Sequence, residues 1–282
     1  MPTHVILIVL GAALLHASWN AMAKGRAGGD PLASMMAIAL AGGAIAIPLL
    51  AVTGLPGPPS YAYVLASGVV HVIYFLLVGL AYRHGAYSTF YPLTRGSAPL
   101  LTALMGSVLL GEPASPAMIG GVVLLSVGVL GLGLDALAGI RPERRAVLAA
   151  ALNVAVIVGY TILDGVGARL SGNPAGYVVA MMALTGLMLL AVVPLVGSAS
   201  IGAMLAARPA FAFTGGAMIM ASYGIALWAM TRAPIGAVAA LRETSALFGT
   251  IISALFLREQ FGCVRWVAAA AITAGLVLIR LG

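Results

Sequence analysis

Tyr91-Pro-Leu-Thr-Arg95-Gly-Ser-Ala-Pro-Leu100, running on to Gly111-Glu112, has a counterpart in Val238-Ala-Ala-Leu-Arg242-Glu-Thr-Ser-Ala-Leu247, running on to Arg258-Glu259. At a constant shift of 147, Arg95 falls on Arg242, Leu100 on Leu247, Glu112 on Glu259 and Gly128 on Gly275. Chance supplies single matches among so many Ala, Gly and Leu residues. It is a poor source of two arginines and two glutamates in register. The chain therefore reads as a duplication, with repeats over residues 1–138 and 139–282.

Around these stretches lie ten apolar runs, at about 4–24, 32–53, 61–82, 86–110, 116–134, 146–168, 175–196, 209–231, 235–257 and 262–281. A run of roughly eighteen or more apolar residues spans the hydrocarbon core as a helix. With 282 residues, 62% hydrophobic and 7% charged, the composition lies far from that of soluble domains. The expected fold is an all-α polytopic membrane protein, ten transmembrane helices arranged as two inverted five-helix repeats. Five is odd, so the second copy enters the membrane from the opposite face, the layout of an alternating-access transporter.

Basic residues set the orientation. Loops after the odd-numbered spans hold Lys24, Arg26, Arg83, Arg141, Arg144, Arg145, Arg208, Arg258 and Arg265, against Arg169, Arg232 and Arg280 on the other side. Nine against three places the first group in the cytoplasm and both termini outside it. The first span has no basic segment before it and does not read as a cleavable signal. The net charge of +7 is then accounted for by basic loops facing anionic lipid, and no nucleic-acid partner is expected. The single cysteine, Cys263, excludes an internal disulfide and a cysteine-rich metal site. Rigid connections come from Gly54-Leu-Pro-Gly-Pro-Pro59 and Asn173-Pro174. Gly120, Gly121, Gly128, Gly131 and Gly275 form small-residue faces for helix packing.

Ionisable residues within the spans are expensive and mark function. They are His16, His71, Arg95, Asp164, Arg242 and Glu243. Helical spacing sorts the faces: Tyr87, Tyr91 and Arg95 in span four, His71, Tyr74, Val78 and Tyr82 in span three, Asn153, Ile157, Tyr160 and Asp164 in span six, and His16 and Asn20 with Trp19 beside them in span one. Arg95 either holds an anionic substrate group, for which a planar guanidinium is suited, or makes a structural pair with Asp164 or Glu243. Arg242 and Glu243 point about 100° apart on a helix, so one faces the cavity while the other meets a neighbour. Tyr91, Tyr160 and Tyr223 lie deep enough to shape a pocket, with Tyr74 and Trp228 on related faces. Tyr61, Tyr63, Tyr82, Tyr177 and Trp266 read as interfacial anchors. Coupling protons point to Asp164, Glu243 or His16, an imidazole titrating near neutral pH. Glu112 and Glu259 are expected to fix their loops or cap the helix that follows. No phosphate loop, metal-ligand set or nucleophile elbow is present, so neither a catalytic residue, a metal nor a cofactor is expected.

Leu15-His-Ala-Ser-Trp-Asn-Ala-Met-Ala-Lys24, Tyr91-Pro-Leu with Arg95 and Pro99, Leu110-Gly-Glu112 followed by Gly120 and Gly128, and Arg258-Glu259 with Gly275 together resemble the EamA-type branch of the drug/metabolite transporter superfamily. The resemblance implies two inverted units around a central cavity formed by spans one, three, four, six, eight and nine. It implies transport of small metabolites, with exporters of amino acids, including aromatic ones, well represented. It points to Trp19, His71, Tyr74, Tyr91, Arg95, Tyr160, Tyr223, Trp228 and Arg242 as substrate-binding. The halves differ, with Arg258 where Gly111 stands and no counterpart of Pro92. The expected protein is thus a multi-pass transporter of the cell inner membrane, exporting amino acids or related metabolites and functioning as a monomer. Its rivals are an exporter of cationic or lipophilic drugs, an importer of another metabolite, and a non-transporting accessory protein.

Overall fold

A computed structural model describes residues 1–25, 31–83, 87–136, 144–196, 198–257 and 262–282. In chain order the helices are α1 (Thr3–Gly25), α2 (Pro31–Thr53), a 3-10 turn at Pro58–Ser60, α3 (Tyr61–Arg83), α4 (Tyr87–Leu110), α5 (Pro116–Ala136), α6 (Arg144–Leu170), α7 (Pro174–Val196), α8 (Ser198–Ala207), α9 (Pro209–Met230), α10 (Ile235–Arg242), α11 (Ser245–Leu257) and α12 (Cys263–Leu281). The described residues hold no strand. Proline opens α2, α5, α7 and α9, where its fixed φ suits the first turn and its missing N–H costs nothing. Gly111 (φ 62°) after α4 and Gly172 (φ 60°) after α6 take the left-handed conformation that ends a helix sharply.

Seven of these helices, α1, α2, α3, α6, α7, α9 and α12, are long and apolar enough to cross a membrane. Their outer faces are apolar: Val52, Leu195, Trp266 and Val267 are all more than 60% exposed. Such a surface belongs against lipid. The chain is an all-α, multi-pass membrane protein.

Two features depart from the sequence reading. The run 235–257 is not one continuous helix. It breaks after Arg242, where Glu243 N–H reaches the Ala240 carbonyl (3.0 Å) and Thr244 N–H the Leu241 carbonyl (3.2 Å), bonds one residue tighter than an α-helix makes. Thr244 Oγ1 takes the same Leu241 carbonyl at 2.7 Å, the local competition that hydroxyl side chains offer to helical bonding. The second departure is α8, a short helix in what reads as the connection between spans seven and eight.

Packing runs mainly between the halves. α5 lies along α12 and α2 along α7; α1 packs on α9, and α3 and α4 on α6. α10 crosses α4, while α11 meets α1. Two seams are close enough to require glycine. A Cβ on Gly275 would sit 2.6 Å from the Gly121 carbonyl oxygen, and one on Gly43 would sit 2.7 Å from Gly186 Cα. Backbone atoms have no room to yield, so Gly275→Ala is expected to cost about 1–3 kcal/mol through overpacking. Thermal unfolding in detergent should show a lowered midpoint for Gly275→Ala. Gly11→Ala is its control, because a Cβ there meets nothing within 4 Å.

Candidate functional site

Between the halves lies a cavity. From the first half it is lined by His16 and Trp19 of α1, His71, Tyr74 and Phe75 of α3, and Arg95 of α4; the second half adds Tyr160 of α6, Met181, Met182 and Thr185 of α7, Ile219, Ser222 and Tyr223 of α9, and Arg242 of α10. The α7 contribution was not legible beforehand: two methionines and a threonine in an apolar run carry no sign of a site.

The two register-matched arginines have different surroundings. Arg95 Nη1 donates to Glu243 Oε1 at 3.1 Å, and Nη2 donates to His16 Nε2 at 2.6 Å. A guanidinium has no acceptor to offer, so that imidazole nitrogen is unprotonated and His16 is neutral. Arg95 and Glu243 are 6% exposed each, so each offsets the other's burial. Of the two partners considered for Arg95, Glu243 is the one present and Asp164 is not. Glu243 Oε2 is buried without a hydrogen bond. Arg242 instead lies over the Tyr223 ring, its Cζ 5.0 Å from the centroid. Among the described residues no carboxylate lies within 4.0 Å of it. The helix break turns Arg242 into the cavity and Glu243 towards α4.

Aromatic rings form one wall. Tyr160 is central: its ring is 4.5 Å from His71, 5.6 Å from Tyr74 and 6.3 Å from Tyr223, centroid to centroid. The Trp19 indole edges against His16 at 5.3 Å, and its Nε1 is buried without a partner.

Behind the wall lies Asp164, wholly buried. Tyr177 Oη donates to Oδ1 at 2.9 Å, Tyr223 Oη donates to Oδ2, and His71 Nε2 lies 4.0 Å from Oδ2. One reading changes here: Tyr177 is not an interfacial anchor but fully buried, its hydroxyl drawn in by the carboxylate. Tyr61 and Trp266 are exposed. Trp228 is not part of the cavity lining; its ring lies under Arg232, whose Cζ is 4.4 Å from the centroid. The side chains of Tyr82, Tyr87 and Tyr91, and all of Glu259, lie outside the described residues.

A second polar cluster joins the halves at one face. Glu112 does not cap the helix that follows it; Ser115 Oγ does so, accepting from Met118 N–H at 3.1 Å. Glu112 caps α10 instead: Ile235 N–H reaches Oε1 at 3.1 Å and Oε2 at 2.9 Å. Arg169 Nη2 donates to Glu112 Oε1 at 2.6 Å and to the Ala233 carbonyl at 3.0 Å, while Nε donates to the Met230 carbonyl at 2.8 Å. A carboxylate at a helix N-terminus is favourable, and this one serves the opposite repeat.

The helices of this multi-pass membrane protein thus surround an aromatic-walled cavity that carries two arginines. A sequence model of the EamA-like transporter family matches residues 3–134, so over this stretch the chain is similar to that family of membrane transporters. No curated protein matches the chain. A solved crystal structure superposes with a TM-score of 0.74 over 100% of this chain and 98% of its own, at 20% identity, which shows a shared fold.

Proposed function

We propose that this chain is a secondary transporter that moves small organic metabolites, amino acids foremost, out of the cell across the inner membrane by alternating access. Arg242 carries this reading: a guanidinium in the cavity, supported by an aromatic face and paired with no carboxylate among the described residues. It is suited to a solute carboxylate. The cavity combines this charge with apolar lining. Its aromatic wall and the unpartnered Trp19 Nε1 provide apolar contact and a donor. Arg95, held by Glu243 and His16, shapes the site.

The helix pairings support two inverted repeats. Exchanging the halves turns α1–α9 into α6–α3 and α2–α9 into α7–α3, while α5–α12 and α2–α7 map onto themselves. Rocking one repeat against the other would expose the cavity to each side in turn. Opening the face of the Glu112 cluster requires Glu112 to leave the α10 N-terminus and Arg169. On the charge reading this is the outer face.

The direct test is uptake of labelled amino acids by purified protein in liposomes. Saturable uptake competed by carboxylate-bearing solutes is the expected result. Transport confined to organic cations would overturn the anion site. A separate prediction concerns the Glu112 cluster. With Cys263 replaced by serine, Ser222→Cys places a thiol in the cavity. Glu112→Gln in that background should raise its labelling by an impermeant maleimide several-fold from one side of the membrane; an unchanged rate would mean that Glu112 does not hold that face shut.

A further inference from the structure

The chemistry around Asp164 concerns a ligand smaller than the solute. His71 Nδ1 lies 3.0 Å from the Ser67 carbonyl oxygen and 3.1 Å from Ser67 Oγ. The carbonyl only accepts, whereas the hydroxyl can donate as well as accept, so Nδ1 is satisfied in either tautomer. The other nitrogen, Nε2, faces the Asp164 carboxylate at 4.0 Å. The first nitrogen is thus held by Ser67, and the second faces the carboxylate across a gap longer than a hydrogen bond. A proton held at Nε2 would put positive charge beside that carboxylate.

The surroundings make this proton matter. Asp164 is 0% exposed within a membrane helix, and an isolated carboxylate there is expensive. Tyr177 from α7 and Tyr223 from α9 supply neutral hydrogen bonds. Among the described residues no Lys or Arg lies within 4.0 Å of it. From α4, Arg95 is engaged by Glu243 and His16. From α10, Arg242 reaches the site only across the Tyr223 ring. On α6 itself, Tyr160 faces the cavity and Arg169 is drawn to Glu112. Among the described residues, His71 is thus the partner near enough to bring compensating charge if a proton is bound.

We infer that Asp164 and His71 together form a proton-binding site coupled to solute transport, a conclusion that rests on the transporter reading above. His71 lines the cavity, so the proton enters and leaves by the solute's route. Tyr223 links the two occupants: its hydroxyl donates to Asp164 and its ring lies beneath Arg242. Protonation weakens the pull of the carboxylate on Tyr223, and solute docking at Arg242 moves the guanidinium above the same ring. One proton transfers from the cavity to the pair and back to water on the other side, with no bond to carbon made or broken.

The test has two arms. In infrared pH-difference spectra of the protein in lipid, the wild type is expected to show a carboxylic-acid band that Asp164→Asn removes; His71→Gln should shift it, which keeps the assignment testable if Asp164→Asn folds poorly. In liposomes containing a pH-sensitive dye, a labelled solute gradient should drive proton movement in the wild type. In Asp164→Asn the number of protons moved per solute transported should fall to near zero, and pH-driven accumulation should be lost. A band unaffected by either substitution, or proton movement surviving in Asp164→Asn, overturns the inference. So does wild-type exchange with no proton movement. A band assigned to Asp164 in a protein that moves no solute would sustain the proton site and defeat the transporter reading instead.

Discussion

Alanine at Arg242 is expected to lower initial uptake of a carboxylate-bearing solute into proteoliposomes by about ten- to a hundredfold at subsaturating concentration. A hydrogen bond to a charged group contributes roughly 1.5–3 kcal/mol, and each 1.4 kcal/mol is about tenfold in affinity. The fold should survive the change, because Arg242 makes a ring contact with Tyr223 and anchors no ion pair among the described residues. Arg242→Lys keeps the charge but loses the planar fork, so an intermediate rate is expected. Uptake by Arg242→Ala equal to wild type, in protein of normal thermal stability, would move the anion site elsewhere.

Arg95→Ala should behave in the opposite way, failing first in stability. It leaves Glu243 buried, with neither carboxylate oxygen matched by a cation. Breaking a buried pair from one side costs about 3–5 kcal/mol, which for a chain of this size lowers the unfolding midpoint by on the order of ten degrees. The decisive comparison is Arg95→Met combined with Glu243→Leu. Removing both charges abolishes the penalty of the orphaned one, so the double variant should unfold close to wild type, although Glu243→Leu alone should not. Thermal unfolding in detergent gives the answer. If the double variant is no more stable than either single one, the pair is not the source of the effect.

The contrast between the two arginines shows what the sequence could and could not disclose. Ionisable side chains in apolar runs stand out, and helical spacing groups them, so His16, His71, Tyr74, Arg95, Tyr160, Tyr223 and Arg242 were singled out before the cavity was seen to gather them. Spacing says which residues share a face, not which helix that face meets. Arg95 therefore stayed between Asp164 and Glu243, and Tyr177 passed for a membrane anchor although its hydroxyl holds Asp164. Trp228 was counted with Tyr223 because both are aromatic on one span; five residues of helix put it under Arg232 instead. The break at Glu243 and Thr244 carries no proline or glycine to announce it. Glu112 was read as fixing its own loop or capping the helix next to it because its partners, Arg169 and Ile235, are 57 and 123 residues away.

The interlocking of the halves bears on how the chain is made. When translation has inserted the first five helices, α1 still lacks α9 and α11, and α5 lacks α12. Arg95 and Glu112 still lack Glu243 and Arg169. Contacts of the nascent half with α6 to α12 can form only once the second half has been made. Biogenesis of this protein should respond to the pace at which its second half emerges, and two separately encoded halves made in the same cell should find each other and reconstitute it.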